Sequence, residues 1–275
     1  MIISSSEHAK QLAVLVSSCD KYKDLWKPFF TLFWRYWPDC PFPIYLMTNY
    51  QTYPDERVTC IPVGEDRQWG SNCKIALKHI QLPYILYIEE ESFLFKSVDN
   101  NKILDFFTFF LKYDAACLRL FPSPGPDFIL PERKDIGIID KNADYRISLQ
   151  ATIWEKSIFE SLIIEGETGW DMELKGTKRS QNINKPFLSV TLDPETGKNT
   201  NPPLPYFSRV TVKGKLTREA IRLCEKEGIS LDLSARRVYT WWETIWEKSL
   251  VYKAYINFRH AVGRQLRNIG LLKRT

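Results

Sequence analysis

Short apolar runs alternate with segments of helical periodicity in the first half of the chain. The apolar runs are residues 12–16, 43–49, 58–62, 84–88 and 115–120, and the helical segments are residues 22–36, 71–80 and 101–113. Ser71 is predicted to cap the second helix. Continuous apolar strands that alternate with helices are typical of a mostly parallel sheet covered on both faces. The pattern therefore predicts an α/β, Rossmann-like fold.

The second half of the chain is less regular. Residues 145–150 are predicted to form a strand, and residues 153–162 and 217–227 to form helices. The polar segment 178–205 is rich in Asn, Pro and Gly, which favours a loop region that can include a mobile flap. Residues 241–269 have the pattern of a long amphipathic helix or a helix pair. We expect one domain over residues 1–235 and a helical extension over residues 236–275.

The composition is ordinary for a soluble globular protein, with 44% apolar and 26% charged residues in a chain of 275. The six cysteines are widely spread without CxxC spacing, so we expect reduced thiols rather than a zinc site or a redox motif. The start lacks the features of a secretion signal, and no apolar run is long enough to span a bilayer. These observations predict a cytoplasmic location.

The positive charge is concentrated at the C-terminal end. The net charge is +5, yet residues 248–275 contain seven Lys or Arg and no Asp or Glu, so the remainder is near −2. A basic amphipathic helix suits an anionic membrane surface, which predicts peripheral attachment at the inner face of the membrane. Packing of its apolar face on the domain is an equally supported alternative. Nucleic acid is not expected as a partner, because the body has no extended basic face.

An acidic cluster follows the apolar run 84–88 directly, formed by Glu89, Glu90 and Glu91. In an open α/β sheet, ligands bind at the carboxyl ends of the strands. Three adjacent carboxylates repel one another and need a cation, a hydrogen-bond donor or solvent. A bound metal–phosphate or sugar explains the cluster better than folding does, and a solvated acidic corner is the competing interpretation.

Three further segments carry candidate chemistry. Ser17, Ser18 and Asp20 follow the first strand, where a polar turn can hold a nucleoside, although ordinary helix caps have the same composition. Residues 69–74 begin a helix whose N-terminus can face phosphate, and an ordinary capped helix is the alternative. Residues 167–173 place three carboxylates around Trp170, which suits holding a sugar on the ring while one carboxylate accepts a proton. An acidic surface loop is the competing account.

These segments together resemble the GT-A class of glycosyltransferases, and more narrowly the glycosyltransferase-like proteins of bacterial surface-polysaccharide clusters. The resemblance is carried by residues 16–22, 86–94, 145–150 and 170–173, and it covers roughly residues 12 to 235. It implies a GT-A fold and transfer of sugar from a nucleotide-sugar donor to a glycan or a lipid-linked saccharide. The alternative is a non-catalytic nucleotide- or saccharide-binding protein on the same scaffold. A nucleotidyltransferase is a weaker third option, because no Gly-rich phosphate loop follows the first strand.

The resemblance also implies a role for each cluster. Glu173, and after it Asp171, is the expected base for inversion of configuration. Glu90 and Glu91 are expected to hold a metal or the hydroxyls of the donor sugar. The residues expected on the nucleotide are Ser17, Ser18, Asp20, Trp69, Ser71 and Lys74, and those expected on the acceptor are Gln150, Glu167 and Trp170.

The acidic motif departs from the family pattern. The usual motif is Asp-x-Asp or a variant that retains an Asp, whereas here all three acids are glutamates. Glu is longer and less rigid at an octahedral Mg²⁺ or Mn²⁺ site, so a metal at Glu91 remains an open alternative. A metal-free enzyme needs basic side chains on the leaving diphosphate. The candidates for that charge are Lys215, Arg119, Lys178 and Arg179.

Overall fold

A mixed nine-stranded sheet forms the centre of the computed structural model, which describes residues 9–192, 202–240 and 242–243. The strand order is β3-β2-β1-β4-β9-β6-β10-β8-β7. From the strand pairings, all strands of the sheet except β8 and β9 point in the same direction. The strands of this sheet are β1 (Leu12–Ser17), β2 (Ile44–Thr48), β3 (Val58–Pro62), β4 (Tyr84–Glu89), β6 (Cys117–Arg119), β7 (Phe128–Leu130), β8 (Arg133–Ile138), β9 (Thr152–Glu155) and β10 (Phe187–Val190).

Two small antiparallel pairs lie outside the main sheet: the pair of β5 (Phe93–Leu94) with β11 (Tyr206–Phe207), and the hairpin of β12 (Thr211–Val212) with β13 (Lys215–Leu216). The helices are a 3₁₀ turn (Asp20–Tyr22), α1 (Lys23–Tyr36), α2 (Gln68–His79), α3 (Asn100–Lys112), α4 (Lys156–Leu162), α5 (Gly169–Asp171), a π turn (Met172–Gly176), α6 (Thr177–Ser180) and α7 (Arg218–Lys226).

Helices cover both faces of the sheet, as the sequence pattern predicts. Successive residues of a strand point to opposite faces, and β1 accordingly contributes Leu12, Val14 and Val16 to one core and Ala13 and Leu15 to the other. Helices α1, α3 and α7 pack on the first core, and α2 and α4 on the second. The predicted α/β, mostly parallel, Rossmann-like class is therefore confirmed.

Most aromatic rings are structural. Helix α1 buries Trp26, Phe29, Phe30 and Phe33 against the sheet, and the ring of Phe30 stacks on Tyr53 with a centroid distance of 4.6 Å. Burying each ring stabilises the fold by about 1.5–3 kcal/mol. The high aromatic content thus reflects core packing first.

Several predicted elements are wrong. Residues 145–150 form no strand, and the antiparallel strand β9 occupies the start of the helix predicted over 153–162. Strand β9 lies between β4 and β6, so both of its faces are covered and Ile153 and Trp154 are buried on opposite faces. The apolar run is too short for its period to distinguish a buried strand from a helix. Helix α2 begins at Gln68, so Ser71 is not its cap.

The predicted loop region 178–205 contains a buried strand, β10, which pairs with β6 and β8. The short strands β7 and β8 were also not predicted. The predicted amphipathic helix over 241–269 falls outside the described residues, apart from Trp242 and Glu243. Among the residues that the structure describes, no helix is both long enough and apolar enough to cross a membrane.

Candidate functional site

A cleft of about 390 Å³ opens at the carboxyl ends of β1, β2 and β4. Strand β1 pairs in parallel with β2 on one side and β4 on the other, so the connections leave β1 in opposite directions at this point. Such a switch point is where open α/β sheets bind ligands. We call this the donor cleft. It is lined by Ser17, Ser18, Cys19, Tyr22, Met47, Asp66, Gln68, Trp69, Asn72, Glu89, Glu90, Glu91 and Gly169.

One wall of the donor cleft is the turn after β1. The indole N–H of Trp26 donates to the hydroxyl of Ser18 at 2.7 Å, which fixes that side chain from behind. Asp20 turns away from the cleft. Its carboxylate accepts hydrogen bonds from the backbone N–H groups of Asn49, Tyr50 and Gln51 at 2.8–3.1 Å. Asp20 therefore holds the loop after β2 in place.

The opposite wall is the start of α2. The side-chain amide of Asn72 donates to Asp66 at 2.9 Å, and the indole N–H of Trp69 donates to the hydroxyl of Tyr87 at 3.0 Å. Gln68, the first residue of α2, has φ = 73°, a conformation that a residue other than glycine rarely adopts. Such strain often occurs at ligand sites, where surrounding contacts hold it.

The floor is the acidic cluster, and burial makes its carboxyls weaker acids. Burial, reinforced by the charges of Glu91 and Glu173, raises the pKa of Glu89 to about 8. Burial and then the charges of Glu89 and Glu91 raise the pKa of Glu90 well above its usual range. A carboxyl that retains its proton can donate as well as accept a hydrogen bond. The raised pKa values reduce the repulsion between the three adjacent carboxyls.

Glu91 is held differently. One of its oxygens accepts from the backbone N–H of Thr211 at 3.1 Å and the other from the Thr211 hydroxyl. Burial raises its pKa, while these two hydrogen bonds and the charge of Arg236 lower it. The β12 segment thereby closes one end of the cleft over the acidic cluster.

Arg236 brings a positive charge close to the cleft. Its guanidinium is buried, forms a bidentate ion pair with Asp24 at 2.7 and 2.9 Å, and lies 4.1 Å from the centre of the Tyr22 ring. Its charge opposes the rise in pKa that burial and Glu91 cause at Tyr22. Arg236 therefore fixes one wall of the cleft, from a position that the sequence pattern does not single out.

The geometry of the cleft carboxyls offers no ready site for a divalent cation. Mg²⁺ and Mn²⁺ need several oxygen ligands in near-octahedral geometry. Both oxygens of Glu91 accept hydrogen bonds from Thr211. Within the described ranges, no group of three His, Cys, Asp or Glu side chains is arranged to hold a metal.

The segment predicted to bind the acceptor borders the cleft at Gly169, where α5 begins. A Cβ at Gly169 would lie 2.9 Å from Leu149 Cδ1 and 3.8 Å from the Trp69 ring, so a larger residue here would have to displace the end of the Leu149 side chain. The next residue, Trp170, is 61% exposed. Its ring meets the exposed ring of Tyr145 edge to face at 6.1 Å. The two rings form an exposed aromatic edge beside the donor cleft.

The two predicted bases have different surroundings. Asp171 forms a capping box with Thr168 and an ion pair with Lys175 at 3.0 Å, and these hydrogen bonds lower its pKa. Glu173 lies in the π turn, a feature that often marks functional sites. It accepts from the backbone N–H of Leu149 at 2.8 Å, and its charge contributes to the raised pKa of Glu89. Glu173 is therefore close to the acidic cluster, although it does not line the cleft.

Arg119 supports the aromatic edge from inside. The side chain is 2% exposed and donates to the carbonyls of Pro124, Tyr145 and Arg146 at 2.6, 2.9 and 3.1 Å. Tyr145 has φ = 53°, so its backbone needs such support. Arg119 acts here as a structural clamp on carbonyls.

The other predicted site residues lie outside the donor cleft. The hydroxyl of Ser71 accepts from the N–H of Gly166, and Lys74 is half-buried on α2. Arg179 forms a bidentate ion pair with Glu167 at 2.6 and 3.0 Å. Lys215 pairs with Glu243, and the Gln150 side chain accepts from the Tyr206 hydroxyl at 2.8 Å. Three of the basic groups considered for the leaving diphosphate, Arg119, Arg179 and Lys215, thus have other partners.

Cleft residues outside the segments predicted for the site are Met47, Asp66 and Gln68, whereas Cys19 and Asn72 lie within the predicted segments 16–22 and 69–74 without a predicted role of their own. Met47 could have been found, because it lies in a predicted strand at the same edge of the sheet. Nothing in the local sequence marks Asp66, whose pairing with Asn72 depends on the turn before α2.

The raised pKa of Glu89 makes fold stability depend on pH. Between pH 4.5 and 8 the unfolded chain releases this proton while the folded chain retains it, so its contribution to stability falls as pH rises. Glu89→Gln cannot titrate. We expect its free energy of unfolding, minus that of the wild type, to be larger at pH 8 than at pH 5 in urea titrations, because only the wild type loses stability over this range. The exposed control Glu165→Gln should show the same difference at both pH values, and such behaviour from Glu89→Gln would contradict the assignment.

Comparisons with known proteins concern the fold alone. No protein-family model matches the chain, and no curated protein matches it. TarS from S. aureus in complex with UDP matches with a TM-score of 0.43 and 13% identity, covering 67% of this chain and 61% of that one. A structure of TarS with UDP-GlcNAc gives a TM-score of 0.38 and 12% identity, covering 55% and 47%. A cytidylyltransferase from Leptospira borgpetersenii gives 0.36 and 11%, covering 63% and 72%.

These structural neighbours agree with the predicted resemblance at the level of the fold. The matched region spans 60% of the length of one TarS structure, residues 1–349. Each of these TM-scores is below 0.5, so the matches carry no argument about the function of this chain.

Proposed function

We propose that this protein transfers a sugar from a nucleotide-sugar donor, bound in the donor cleft, to a saccharide acceptor. The observation that carries the proposal is the cleft at the switch point of the parallel strands, which combines hydroxyl groups on one wall with carboxyls of raised pKa on its floor. Its volume of about 390 Å³ lies within the usual range of small-molecule sites, about 300–1,000 Å³.

The walls suit the parts of a nucleotide sugar. The Ser17–Cys19 turn offers hydroxyl and thiol groups to the nucleoside. Three ionised acids would repel the donor diphosphate, whereas protonated Glu89 and Glu90 can donate hydrogen bonds to diphosphate oxygens or sugar hydroxyls. In this proposal they replace the metal in binding the donor.

The reaction begins at the hydroxyl group of the acceptor. The acceptor hydroxyl gives its proton to Glu173, and its oxygen attacks the anomeric carbon. The bond from that carbon to the diphosphate breaks, and nucleoside diphosphate leaves with the electron pair, so the configuration is inverted. Trp170 and Tyr145 offer ring faces to an acceptor sugar, and Glu173 lies near the acidic cluster.

A non-catalytic binding protein on the same scaffold is the second candidate. It is favoured by the partners of the basic side chains, since Arg119, Arg179 and Lys215 are all engaged elsewhere. Calorimetric titration with uridine, guanosine and thymidine diphosphates and incubation with the matching nucleotide sugars separate the two. Binding with hydrolysis or transfer supports the enzyme, binding alone supports the second candidate, and no binding overturns both.

The proposal includes a lipid-linked acceptor, which the protein would reach by attachment to an anionic membrane through the basic tail, residues 248–275. Its seven Lys or Arg residues would attract acidic lipids. We expect the full chain to co-sediment with vesicles containing phosphatidylserine, and a chain ending at Lys248 to remain in solution. Equal sedimentation of both would remove the tail as the membrane contact.

A further inference from the structure

A second cavity, of about 700 Å³, lies beside the start of α1 and shares no lining residue with the donor cleft. Its walls come from three segments: the 3₁₀ turn with the first turns of α1, the loop 51–54, and residues 232–235. The lining consists of Asp20, Lys21, Lys23, Asp24, Trp26, Lys27, Gln51, Thr52, Tyr53, Pro54, Asp232 and Ala235. We call it the α1 cavity.

The carboxylates of the α1 cavity already have partners. Asp20 accepts three backbone N–H groups of residues 49–51, and Asp24 forms the bidentate ion pair with Arg236. Asp232 accepts from the backbone N–H and the hydroxyl of Ser234, which lowers its pKa. These acids stabilise the walls, and their oxygens are largely committed to them.

The lysines of the cavity are different. Lys21, Lys23 and Lys27 are exposed, and no carboxylate among the described residues forms an ion pair with any of them. Lys23 and Lys27 are four residues apart on α1, so they lie on the same helix face. The lining thus contains three lysines and three aspartates, and the aspartates are the groups whose oxygens are already hydrogen-bonded. The lysines can therefore pair with an anion that enters the cavity.

The remaining wall suits the body of a sugar. Tyr53 and Pro54 present apolar surface, and the stacking of Tyr53 on Phe30 at 4.6 Å holds its ring in place. The neighbouring Gln51 and Thr52 are exposed and can hydrogen-bond to hydroxyl groups. Inorganic phosphate has no apolar surface to place against this wall.

We propose that the α1 cavity binds an anionic saccharide, a sugar bearing phosphate, sulfate or carboxylate groups, at a site separate from the donor cleft. The anionic groups contact Lys23 and Lys27, and a sugar ring lies against Tyr53. This inference goes beyond the proposed function and does not depend on it.

The test is calorimetric titration of the full chain at low salt with a sulfated disaccharide derived from heparin. We expect binding that Lys23→Glu/Lys27→Glu weakens at least tenfold. The matched control Lys78→Glu/Lys112→Glu exchanges two exposed lysines outside both cavities and should bind like the wild type. An uncharged disaccharide and inorganic phosphate should both bind at least tenfold more weakly than the sulfated disaccharide.

Four outcomes would overturn the proposal: no binding, an equal loss in both double variants, competition by whichever nucleoside diphosphate binds the donor cleft, or an effect of Lys23→Glu/Lys27→Glu confined to phosphatidylserine vesicles. The last would indicate a lipid contact. If no nucleoside diphosphate binds, the proposed function fails while the disaccharide titration still decides this inference.

Discussion

Replacing Glu173 with Gln should lower the turnover number of sugar transfer by about 10²–10⁴-fold, the usual contribution of a positioned general base. The amide oxygen of Gln can still accept from the N–H of Leu149, so we expect the fold around the π turn to persist. Because Glu173 does not line the donor cleft, the KM for the nucleotide sugar should change little. Steady-state kinetics with the donor found in the nucleotide-sugar panel measures both values.

Asp171→Asn is the matched control, two residues away on the same segment. The Asp171 carboxylate is committed to Thr168 and Lys175, so its loss should reduce stability by about 1 kcal/mol and turnover by less than tenfold. Full turnover in Glu173→Gln would remove Glu173 as the base. Glu89 would then be the next candidate, because it lines the cleft with a pKa of about 8. With Glu89 as base, turnover should rise with pH up to about 8.

The predictable part of the fold is the part where each strand is a continuous apolar run. Each end of strands β1, β2 and β4 lies within one residue of its predicted bound, since parallel strands buried on both faces leave a strong local signal. Strand β9 has only four residues, and its place between β4 and β6 depends on partners distant in sequence. Pairing with these distant strands determines that this segment is a strand, and the local sequence pattern does not predict it.

The candidate site divides in the same way. Ser17, Ser18, Glu90 and Glu91 line the donor cleft because the ends of parallel strands meet at one edge of the sheet. Asp20 was expected beside them, but its carboxylate faces the backbone after β2. The local sequence pattern thus predicts which segments meet at the cleft. The direction of each side chain depends on hydrogen-bond partners from elsewhere in the fold.

Arg119→Met should lower the free energy of unfolding by about 1–3 kcal/mol, the cost of one buried acceptor left unsatisfied. The carbonyls of Pro124, Tyr145 and Arg146 lose their donor. The bond to Arg146 is buried, whereas Pro124 and Tyr145 are exposed residues, where water can replace a lost donor. Removal of the buried charge, whose pKa burial already lowers, offsets part of this cost. Urea unfolding followed by circular dichroism measures the difference.

Arg222→Met is the control, because Arg222 is exposed on α7 and the same exchange there should cost less than about 0.5 kcal/mol. Arg119→Lys keeps the charge but cannot reach three carbonyls with a fixed planar fork, so its stability should lie between those of the wild type and Arg119→Met. Equal stability of Arg119→Met and the wild type would show that the carbonyls find other donors. Because Tyr145 depends on this clamp at φ = 53°, the aromatic edge beside the cleft would then need another source of support.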